Sequence, residues 1–256
     1  MIRDLKITAE VLVPPRVVLF DWHATLVDTR DAMYHAVDDT LLRIPELGLM
    51  GDLMPYALCR SSEDARLVEY VRQNLRLHPK IKSARRISRT DIFEILFGNN
   101  EDAKRIAHEA FNEAYRNHYG EAHPFEGGEL KLLLELREFE VKLGILTNRE
   151  REFFEHEIAL VEEGAWMGLF DTIVCGGDTE RRKPNPEPIL KALDELGETN
   201  DPSCWYLGDS ATDVAAAKRA AVTAVFFNGA GWEHVWLEKV FPGTVEHPHR
   251  PDAIVD

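Results

Sequence analysis

Short apolar runs alternate with helical stretches through most of the second half of this 256-residue chain. From residue 129 onward the pattern reads ELKLLLELREF, VKLGILT, REFFEHEIALVEE, FDTIVC, PEPILKALDELG, CWYLG, ATDVAAAKRAA and VTAVFF. Strands that alternate with helices are joined by right-handed crossovers and form a parallel sheet with both faces covered. Together with the earlier run RVVLF, this pattern predicts a doubly wound α/β domain.

A long segment after the first predicted strand is helical instead. One helix is predicted in SSEDARLVEYVRQNL, which opens with Ser61 and an acid at Asp64. A second, DIFEILFG, stops at Gly98, and a third runs from an Asn cap to Gly120. No strand pattern lies among these helices.

The charge distribution divides the chain in the same place. Residues 29–124 carry 14 Lys and Arg against 15 Asp and Glu, so nearly all of the net charge of −15 lies outside them. We therefore predict a core domain formed by residues 1–28 and 125–256, with residues 29–124 inserted as a helical domain after the first strand. The tail from about residue 242 has weak periodicity and predicts no element.

Composition excludes several classes of partner. A net charge of −15 argues against nucleic acid, because binding to phosphate backbones needs a positive surface. No apolar run approaches a membrane span, and the first fifteen residues do not resemble a signal peptide. The three cysteines are far apart and contain no CxxC pair, which suits a reducing compartment. The expected location is the cytoplasm.

Polar residues follow the apolar runs where parallel strands end. Because ligands bind at the carboxyl ends of strands in such sheets, these residues are expected to converge on one rim. They are Asp21 and His23 after RVVLF, Thr147 and Asn148 after LGIL, Lys183 after TIVC, and Asp209 and Asp213 after WYL. Each residue alone would also fit a turn, a helix cap or a solvated charge. Several carboxylates at one rim repel each other unless a cation is present, and oxygen ligands of this kind suit Mg²⁺.

The order DWHATL, ILTN, K-P and GDSATD resembles the four motifs of the haloacid dehalogenase superfamily. The helical insertion resembles the cap domain of that superfamily, and HPFEGGELKLLLELREFEVKLGILTN resembles its phosphoglycolate-phosphatase-like branch. The resemblance implies a Rossmann-like core and a Mg²⁺-dependent phosphatase that acts on a small phosphorylated metabolite.

The resemblance also implies a role for each motif residue. Asp21 is expected to attack phosphorus and form an aspartyl-phosphate. Mg²⁺ is expected to bind Asp21, the main-chain carbonyl of His23, Asp209 and, directly or through water, Asp213. The phosphoryl oxygens are expected to bind the Thr147 hydroxyl, the amide of Asn148 and the Lys183 ammonium.

One motif residue departs from the superfamily pattern. Two positions after the nucleophile its phosphatases typically have a second Asp, which protonates the leaving alkoxide and then activates water; here the residue is His23. An imidazole, with an ordinary pKa of about 6.5, suits both proton transfers near neutral pH. The alternatives are a phosphonatase-like enzyme that uses Lys80 or Lys82 of the insertion as a Schiff base, and a protein that binds phosphate with little turnover.

The insertion contains a basic segment. Residues 70–90 carry seven basic side chains and no acidic one. Such runs are usually solvated helix faces, but this one could also close over an anionic substrate. Arg85 and Arg86 are the candidate substrate-binding residues of the segment. The sequence leaves the substrate open, as well as the choice between a monomer and a homodimer.

Overall fold

The computed structural model describes residues 12–84, 87, 89–119, 122–125, 128–245 and 248–256. In these ranges the strands are β1 (Val17–Phe20), β2 (Val27–Asp28), β3 (His123–Pro124), β4 (Lys142–Leu146), β5 (Thr172–Val174), β6 (Cys204–Gly208), β7 (Thr223–Phe227) and β8 (Ala253–Val255). The helices are α1 (Arg30–Leu42), α2 (Ser62–Asn74), α3 (Pro79–Ala84), α4 (Arg89–Phe97), α5 (Glu101–Tyr115), α6 (Glu129–Glu138), α7 (Arg151–Leu160), α8 (Glu187–Glu195), α9 (Ala211–Arg219) and α10 (His234–Val240).

Six strands form one parallel sheet in the order β5-β4-β1-β6-β7-β8. From β1 the chain moves outward through β4 and β5, and then returns to the other side of β1 to add β6, β7 and β8. This reversal makes the sheet doubly wound and confirms the predicted fold class. In such sheets the crevice beside the reversal point is where ligands bind.

The central strand β1 is buried on both of its faces. Val17 and Leu19 belong to an apolar cluster that includes Ile189 of α8 and Val214 of α9. Val18 and Phe20 belong to a second cluster on the opposite face of the sheet. Successive side chains of a strand point to opposite faces, so four consecutive apolar residues supply both clusters. Each fully buried side chain of this size contributes about 1.5–3 kcal/mol to the stability of the folded state. This burial holds in place the strand that Asp21 directly follows.

The described residues divide into two compact units. Residues up to Asp28 form one unit with those from Ala122 to Asp256, and the second unit lies within residues 29–121. The second unit contains α1 to α5, with α1 packed against α5. The helix cap at Ser61 is present, since its hydroxyl accepts a hydrogen bond from the Asp64 amide at 3.0 Å.

Two other helix ends in this unit can be compared with the sequence. The side chain of Asn100 caps α5 by accepting a hydrogen bond from the Ala103 amide at 3.1 Å. This helix ends at Tyr115, earlier than the predicted end near Gly120, which lies outside the described residues. Helix α4 ends at Phe97, before Gly98, whose φ of +56° lies in the left-handed region that favours glycine.

Two short pairings were not predicted from the sequence. Strand β8 adds three residues to the edge of the sheet, and the carboxylate of the preceding Asp252 accepts a hydrogen bond from the Ala224 amide at 2.8 Å. Strands β2 and β3 pair antiparallel, Val27 with Pro124 and Asp28 with His123. Elements of two or three residues are too short to produce a periodic pattern. Among the helices described, none is both long and apolar enough to span a membrane.

Candidate active site

Adjacent strands of the sheet carry the predicted site residues at their carboxyl ends. Asp21 directly follows β1, and its amide donates to the Leu207 carbonyl of β6 at 2.8 Å. Thr147 follows β4, and its amide donates to the Val174 carbonyl of β5 at 3.0 Å. Asp209 follows β6. The hydrogen bonds of the sheet therefore extend to Asp21 and Thr147, one residue beyond β1 and β4. They fix the backbone from which these two side chains project.

The ammonium of Lys183 is the centre of the site. Its Nζ lies 2.7 Å from Asp21 Oδ1 and 2.8 Å from Asp213 Oδ1. The same atom contacts the Tyr206 hydroxyl at 2.7 Å and the Leu146 carbonyl at 3.1 Å. All of these contacts are buried. One cation thus links the loop before α8 to the ends of β1 and β4, to the middle of β6 and to the first turn of α9.

Asp213 is held by hydrogen bonds to both of its carboxylate oxygens. Oδ1 accepts from the Tyr206 hydroxyl at 2.9 Å in addition to Lys183. Oδ2 accepts from the amide and the hydroxyl of Ser210, and the Ser210 hydroxyl in turn accepts from the Asp213 amide. This reciprocal pair is a capping box at the start of α9. Asp213 therefore takes part in a helix-capping box, with Ser210 as the cap residue, and also contacts Lys183 in the candidate site.

Gly208 allows this carboxylate to approach the sheet. A Cβ atom at position 208 would lie 2.4 Å from Asp213 Cγ and 2.6 Å from its Cβ. Any other residue in this position would therefore displace the Asp213 side chain. The glycine of the GDSATD motif thus has a steric role.

Three carboxylates of the site are close enough to share a cation. Oxygens of Asp21, Asp209 and Asp213 lie within 4.8 Å of one another. Among the described residues, no other group of three or more Asp, Glu, His or Cys side chains brings its ligand atoms this close together. Asp21 and Asp213 are buried and Asp209 is half-buried. Lys183 offsets one of the three negative charges. The remaining charge and the all-oxygen donor set fit a hard divalent cation such as Mg²⁺.

The pKa values of the buried groups reflect this concentration of charge. Burial raises the pKa of Asp21 to about 6, with Asp213 adding to the shift and Lys183 opposing it. Burial also disfavours ionisation of Asp213, yet Lys183 and the hydrogen bonds from Ser210 and Tyr206 keep its pKa below the ordinary value. Burial would lower the pKa of Lys183, but the two aspartates hold it above the ordinary value. A cation beside Asp21 would favour its ionised form.

The Thr147 and Asn148 side chains are partly engaged by the surrounding loops. The Thr147 hydroxyl is buried and accepts a hydrogen bond from the Arg149 amide at 3.2 Å. The Asn148 side chain accepts from the Lys183 amide at 3.1 Å and donates to the Lys183 carbonyl at 3.0 Å. The sequence predicted a phosphate contact through the backbone amide of Asn148. The structure adds that its side chain holds the backbone of Lys183.

His23 lies beside a buried carboxylate that the sequence did not identify. Its Nε2 is 3.5 Å from Oε2 of Glu157, and the same oxygen accepts a hydrogen bond from Trp22 Nε1 at 2.8 Å. Glu157 is completely buried, and the His23 side chain is 14 % exposed. The chain turns tightly here, with Ala24 at a φ of +59°. The residue at the unusual motif position therefore has an acidic neighbour inside the core.

The basic segment of the insertion is only partly described. Arg85 and Arg86 lie outside the described residues, so their role stays a prediction. Arg72 donates to the Leu53 carbonyl at 3.2 Å, and Lys82 forms an ion pair with Asp38 at 2.5 Å. Arg89 lies over the Phe111 ring. These three basic side chains make contacts within the helical unit.

Two residues of the site, Tyr206 and Glu157, were not predicted from the sequence. Tyr206 lies inside the apolar run CWYLG, where the pattern indicates only a strand. Glu157 was detectable, because it occupies the apolar stripe of α7 together with Phe153, Phe154 and Ile158, all of which are buried. An acid in such a stripe is a signal that a buried polar partner exists.

Comparisons with known proteins show the family and the fold of the chain. The profile of the haloacid dehalogenase-like hydrolase family matches residues 18–227. The chain is 38% identical to the phosphoglycolate phosphatase of Rhodospirillum rubrum over 136 residues, which are 50% of this chain and 53% of the relative. It is 34% identical to the pyrophosphatase PpaX of Halalkalibacterium halodurans over 145 residues, which are 53% of this chain and 60% of the relative.

These matches span only a little over half the length of either relative. A solved structure from Bacteroides fragilis, provisionally assigned as a haloacid dehalogenase-like hydrolase, has the same fold. Its TM-score is 0.64 at 19% identity, over 94% of this chain and 97% of that one. From its motif order, its doubly wound sheet and the family match, the chain belongs to the haloacid dehalogenase-like hydrolase family.

Proposed function

We propose that this protein is a Mg²⁺-dependent phosphohydrolase that acts on a small organic phosphate ester through an aspartyl-phosphate. The observation that carries this proposal is the buried Lys183 ammonium, which joins Asp21 and Asp213 beside Asp209 at the carboxyl ends of β1 and β6. A nucleophile, a fixed positive charge and a set of oxygen ligands are what phosphoryl transfer needs.

Asp21 performs the covalent chemistry in this proposal. One carboxylate oxygen is held by Lys183, so the other can attack phosphorus while the bond to the leaving oxygen breaks. The leaving oxygen takes a proton from the imidazolium of His23. Neutral His23 then takes a proton from water as the water oxygen attacks phosphorus, and the bond to Asp21 breaks. Phosphate is released and Asp21 is regenerated.

The other residues of the site stabilise charge. The Thr147 hydroxyl and the Asn148 amide donate to phosphoryl oxygens, and Lys183 offsets the charge of the nucleophile. Asp21, the His23 carbonyl and Asp209 would hold Mg²⁺ directly. Asp213, whose oxygens already accept hydrogen bonds from the protein, would act through water. Bound Mg²⁺ supplies electrostatic stabilisation of the phosphoryl group as charge develops on it.

The substrate class is inferred from the relatives. The names of two relatives, phosphoglycolate phosphatase and pyrophosphatase PpaX, each refer to a small phosphorylated compound. We extend this to a small anionic phosphate ester as the substrate, with residues 29–124 as a cap domain and with Arg85 and Arg86 as candidate contacts. We also propose that the protein is located in the cytoplasm as a monomer or a homodimer. Neither nucleic acid nor a membrane is proposed as a partner.

The phosphonatase-like alternative receives no support from the described lysines. Lys82 is engaged as an ammonium by Asp38, whereas a Schiff base requires a free amine. Lys80 is exposed. A phosphate-binding protein with little turnover remains the second alternative, since replacement of the usual aspartate by His23 affects hydrolysis of the phosphoenzyme more than its formation.

A phosphate-release assay distinguishes the three functions. The substrates are p-nitrophenyl phosphate, a panel of small phosphate esters and phosphonoacetaldehyde, with and without Mg²⁺, for the wild type, Asp21→Asn and His23→Ala. The proposal predicts Mg²⁺-dependent release that Asp21→Asn abolishes and His23→Ala lowers. Cleavage of phosphonoacetaldehyde alone would establish the phosphonatase alternative. Covalent labelling without turnover would establish the phosphate-binding one.

A further inference from the structure

We infer that the side chains of Asn148 and Arg182 form a reciprocal clamp between two loops, and that this clamp positions Lys183 for phosphoryl transfer. The loops are residues 147–150, which follow β4, and residues 175–186, which lie between β5 and α8. Each loop supplies one side chain that binds the main chain of the other. The inference rests on the proposed function and gives a role to two side chains that this function does not use.

The loop that carries Lys183 has no regular secondary structure to hold it. Residues 175–186 contain neither helix nor strand. The Asn148 side chain binds both polar groups of the Lys183 main chain. Its Oδ1 accepts from the Lys183 amide at 3.1 Å, and its Nδ2 donates to the Lys183 carbonyl at 3.0 Å. An asparagine side chain has an acceptor and a donor side by side, so it can satisfy both groups of one residue.

Arg182 makes the same kind of contact in the opposite direction. Its Nη1 donates to the Asn148 carbonyl at 3.0 Å, and its Nη2 donates to Oε1 of Glu150 at 2.6 Å. The planar guanidinium is suited to binding two acceptors at once. Both acceptors belong to the loop that follows β4. Asn148 therefore holds the main chain of Lys183, and Arg182 holds the main chain of Asn148.

The two loops approach closely enough for direct contact between their main chains. The Gly176 amide donates to the Arg149 carbonyl at 2.7 Å. A Cβ atom at position 176 would lie 2.4 Å from the Asn148 carbonyl oxygen and 3.0 Å from Cζ of Arg182. Glycine thus allows a close approach that a larger residue would prevent. The clamp is part of the packing between the loops.

The clamp limits where the Lys183 ammonium can lie. A lysine has a flexible four-carbon stem, and holding it in one place costs conformational entropy. Asp21 and Asp213 hold the ammonium end of this side chain, and Asn148 holds its main chain. Asn148 also directly follows Thr147, the proposed phosphoryl ligand. The clamp therefore sets the distance between the proposed phosphate-binding groups and the cation that acts with them.

The first experiment measures the first-turnover burst of p-nitrophenol from p-nitrophenyl phosphate at saturating Mg²⁺ and substrate. Asn148→Ala removes both contacts to Lys183 but keeps the main-chain amide that the proposed function assigns to the phosphate. We expect this variant to slow the burst by about 10- to 100-fold, because a shift of about 1 Å can cost about 100-fold in rate. Arg182→Gln removes the other half of the clamp and should slow the burst by a smaller factor.

Two matched controls separate positioning from a structural role. Asn185→Ala removes another half-buried asparagine of the same loop, whose side chain accepts from the Glu187 amide at 3.0 Å at the start of α8. Arg181→Gln removes the neighbouring arginine, which pairs with Glu187. Both controls should leave the burst unchanged. A wild-type burst rate in Asn148→Ala, or equal slowing by Asn148→Ala and Asn185→Ala, would overturn the inference.

A spectroscopic measurement follows the Lys183 ammonium without turnover. Buried and hydrogen-bonded protons exchange slowly with water, so this group is expected to give a ¹H–¹⁵N NMR signal, assigned by its loss in Lys183→Arg. We expect Asn148→Ala to speed the exchange by about 10-fold or more and Asn185→Ala to leave it unchanged. Unchanged exchange in Asn148→Ala would overturn the inference even if the burst is slow, since Asn148 would then act through another contact.

The two measurements also separate the inference from the proposed function. A wild type without Mg²⁺-dependent phosphate release would overturn the proposed function and, with it, the catalytic consequence of the clamp. The exchange of the ammonium protons would still decide whether Asn148 positions Lys183, because it requires neither substrate nor Mg²⁺.

Discussion

At the scale of single residues, Lys183 determines whether the site can exist. Two buried carboxylates, Asp21 and Asp213, lie within 2.8 Å of its Nζ atom. Separately each carboxylate would be costly to bury, and together they would repel each other. In the proposed mechanism the same ammonium also offsets the charge of the bound phosphoryl group. In that proposal, one atom therefore serves both stability and chemistry.

Replacement of this lysine is expected to affect both properties. Lys183→Met leaves Asp21 and Asp213 without their shared cation and should lower the free energy of unfolding by about 3–5 kcal/mol, as for a broken buried ion pair. Urea denaturation without metal measures the loss, and phosphate release should also disappear. The matched control Lys191→Met removes a solvent-screened pair with Glu195 and should leave the free energy of unfolding almost unchanged. Equal effects of the two substitutions would contradict the central role of Lys183.

Gly208 provides a steric test of the same geometry. Gly208→Ala puts a Cβ atom 2.4 Å from Asp213 Cγ and should destabilise the protein by about 1–3 kcal/mol, as overpacking does. Phosphate release should fall as well, because Asp213 is displaced from Lys183. Gly51→Ala is the control, since no atom lies within 4 Å of its added Cβ. Thermal denaturation and activity of both variants provide the comparison, and an unimpaired Gly208→Ala enzyme would refute the role given to this glycine.

At the scale of elements, the amino ends of adjacent strands are joined by a polar cluster. Arg16, just before β1, forms ion pairs with Glu198 and Asp201 at 2.7 Å. Asp201 also accepts hydrogen bonds from the amide and hydroxyl of Ser203, just before β6. The cluster fixes the ends of β1 and β6 opposite to the site. It thereby helps to set the register of the two strands that carry Asp21 and Asp209.

This cluster has a defined pH dependence. Hydrogen bonds from Ser203 and the guanidinium of Arg16 lower the pKa of Asp201 from 3.8 to about 2. A lowered carboxyl pKa stabilises the folded state above the ordinary pKa, and this stabilisation is lost as the pH falls from about 4 to about 2. Asp201→Asn should therefore lower the Tm at pH 7. The difference in Tm between this variant and the wild type should shrink as the pH falls from about 4 to about 2. Tm values between pH 2 and 7 measure it, with Asp194→Asn as an exposed control; a difference that persists unchanged down to pH 2 would exclude this linkage.

The sequence predicted the elements that build the site better than the contacts within it. The runs RVVLF, VKLGILT and CWYLG are long enough to be recognised as strands, and the polar residue after each then follows from parallel topology. Three-residue β8 has no such pattern, and its pairing depends on β7 being an available edge. Tyr206 was hidden because a tyrosine in a strand is usually a core residue. Only the fold reveals that its hydroxyl meets Lys183.

At the scale of the whole molecule, the proposed cation site couples metal binding to stability. A ligand that binds only the folded state stabilises it by about 2.7 kcal/mol at 100 times its Kd. Mg²⁺ should therefore raise the Tm of the wild type, whereas Asp209→Asn should abolish most of that increase. Asp194→Asn removes an exposed carboxylate and should retain it. Differential scanning calorimetry with Mg²⁺ or EDTA measures these shifts, and an equal shift in Asp209→Asn and the wild type would place the cation elsewhere.

The proposed mechanism requires that Asp21 becomes phosphorylated. The most direct test is to mix the protein with p-nitrophenyl phosphate and Mg²⁺, quench with acid within the first turnover, and locate the adduct by peptide mass spectrometry. We expect one phosphoryl group, labile to hydroxylamine, on Asp21, with a larger amount in His23→Ala and none in Asp21→Asn. Release of phosphate without such an adduct, or an adduct on another residue, would contradict the mechanism.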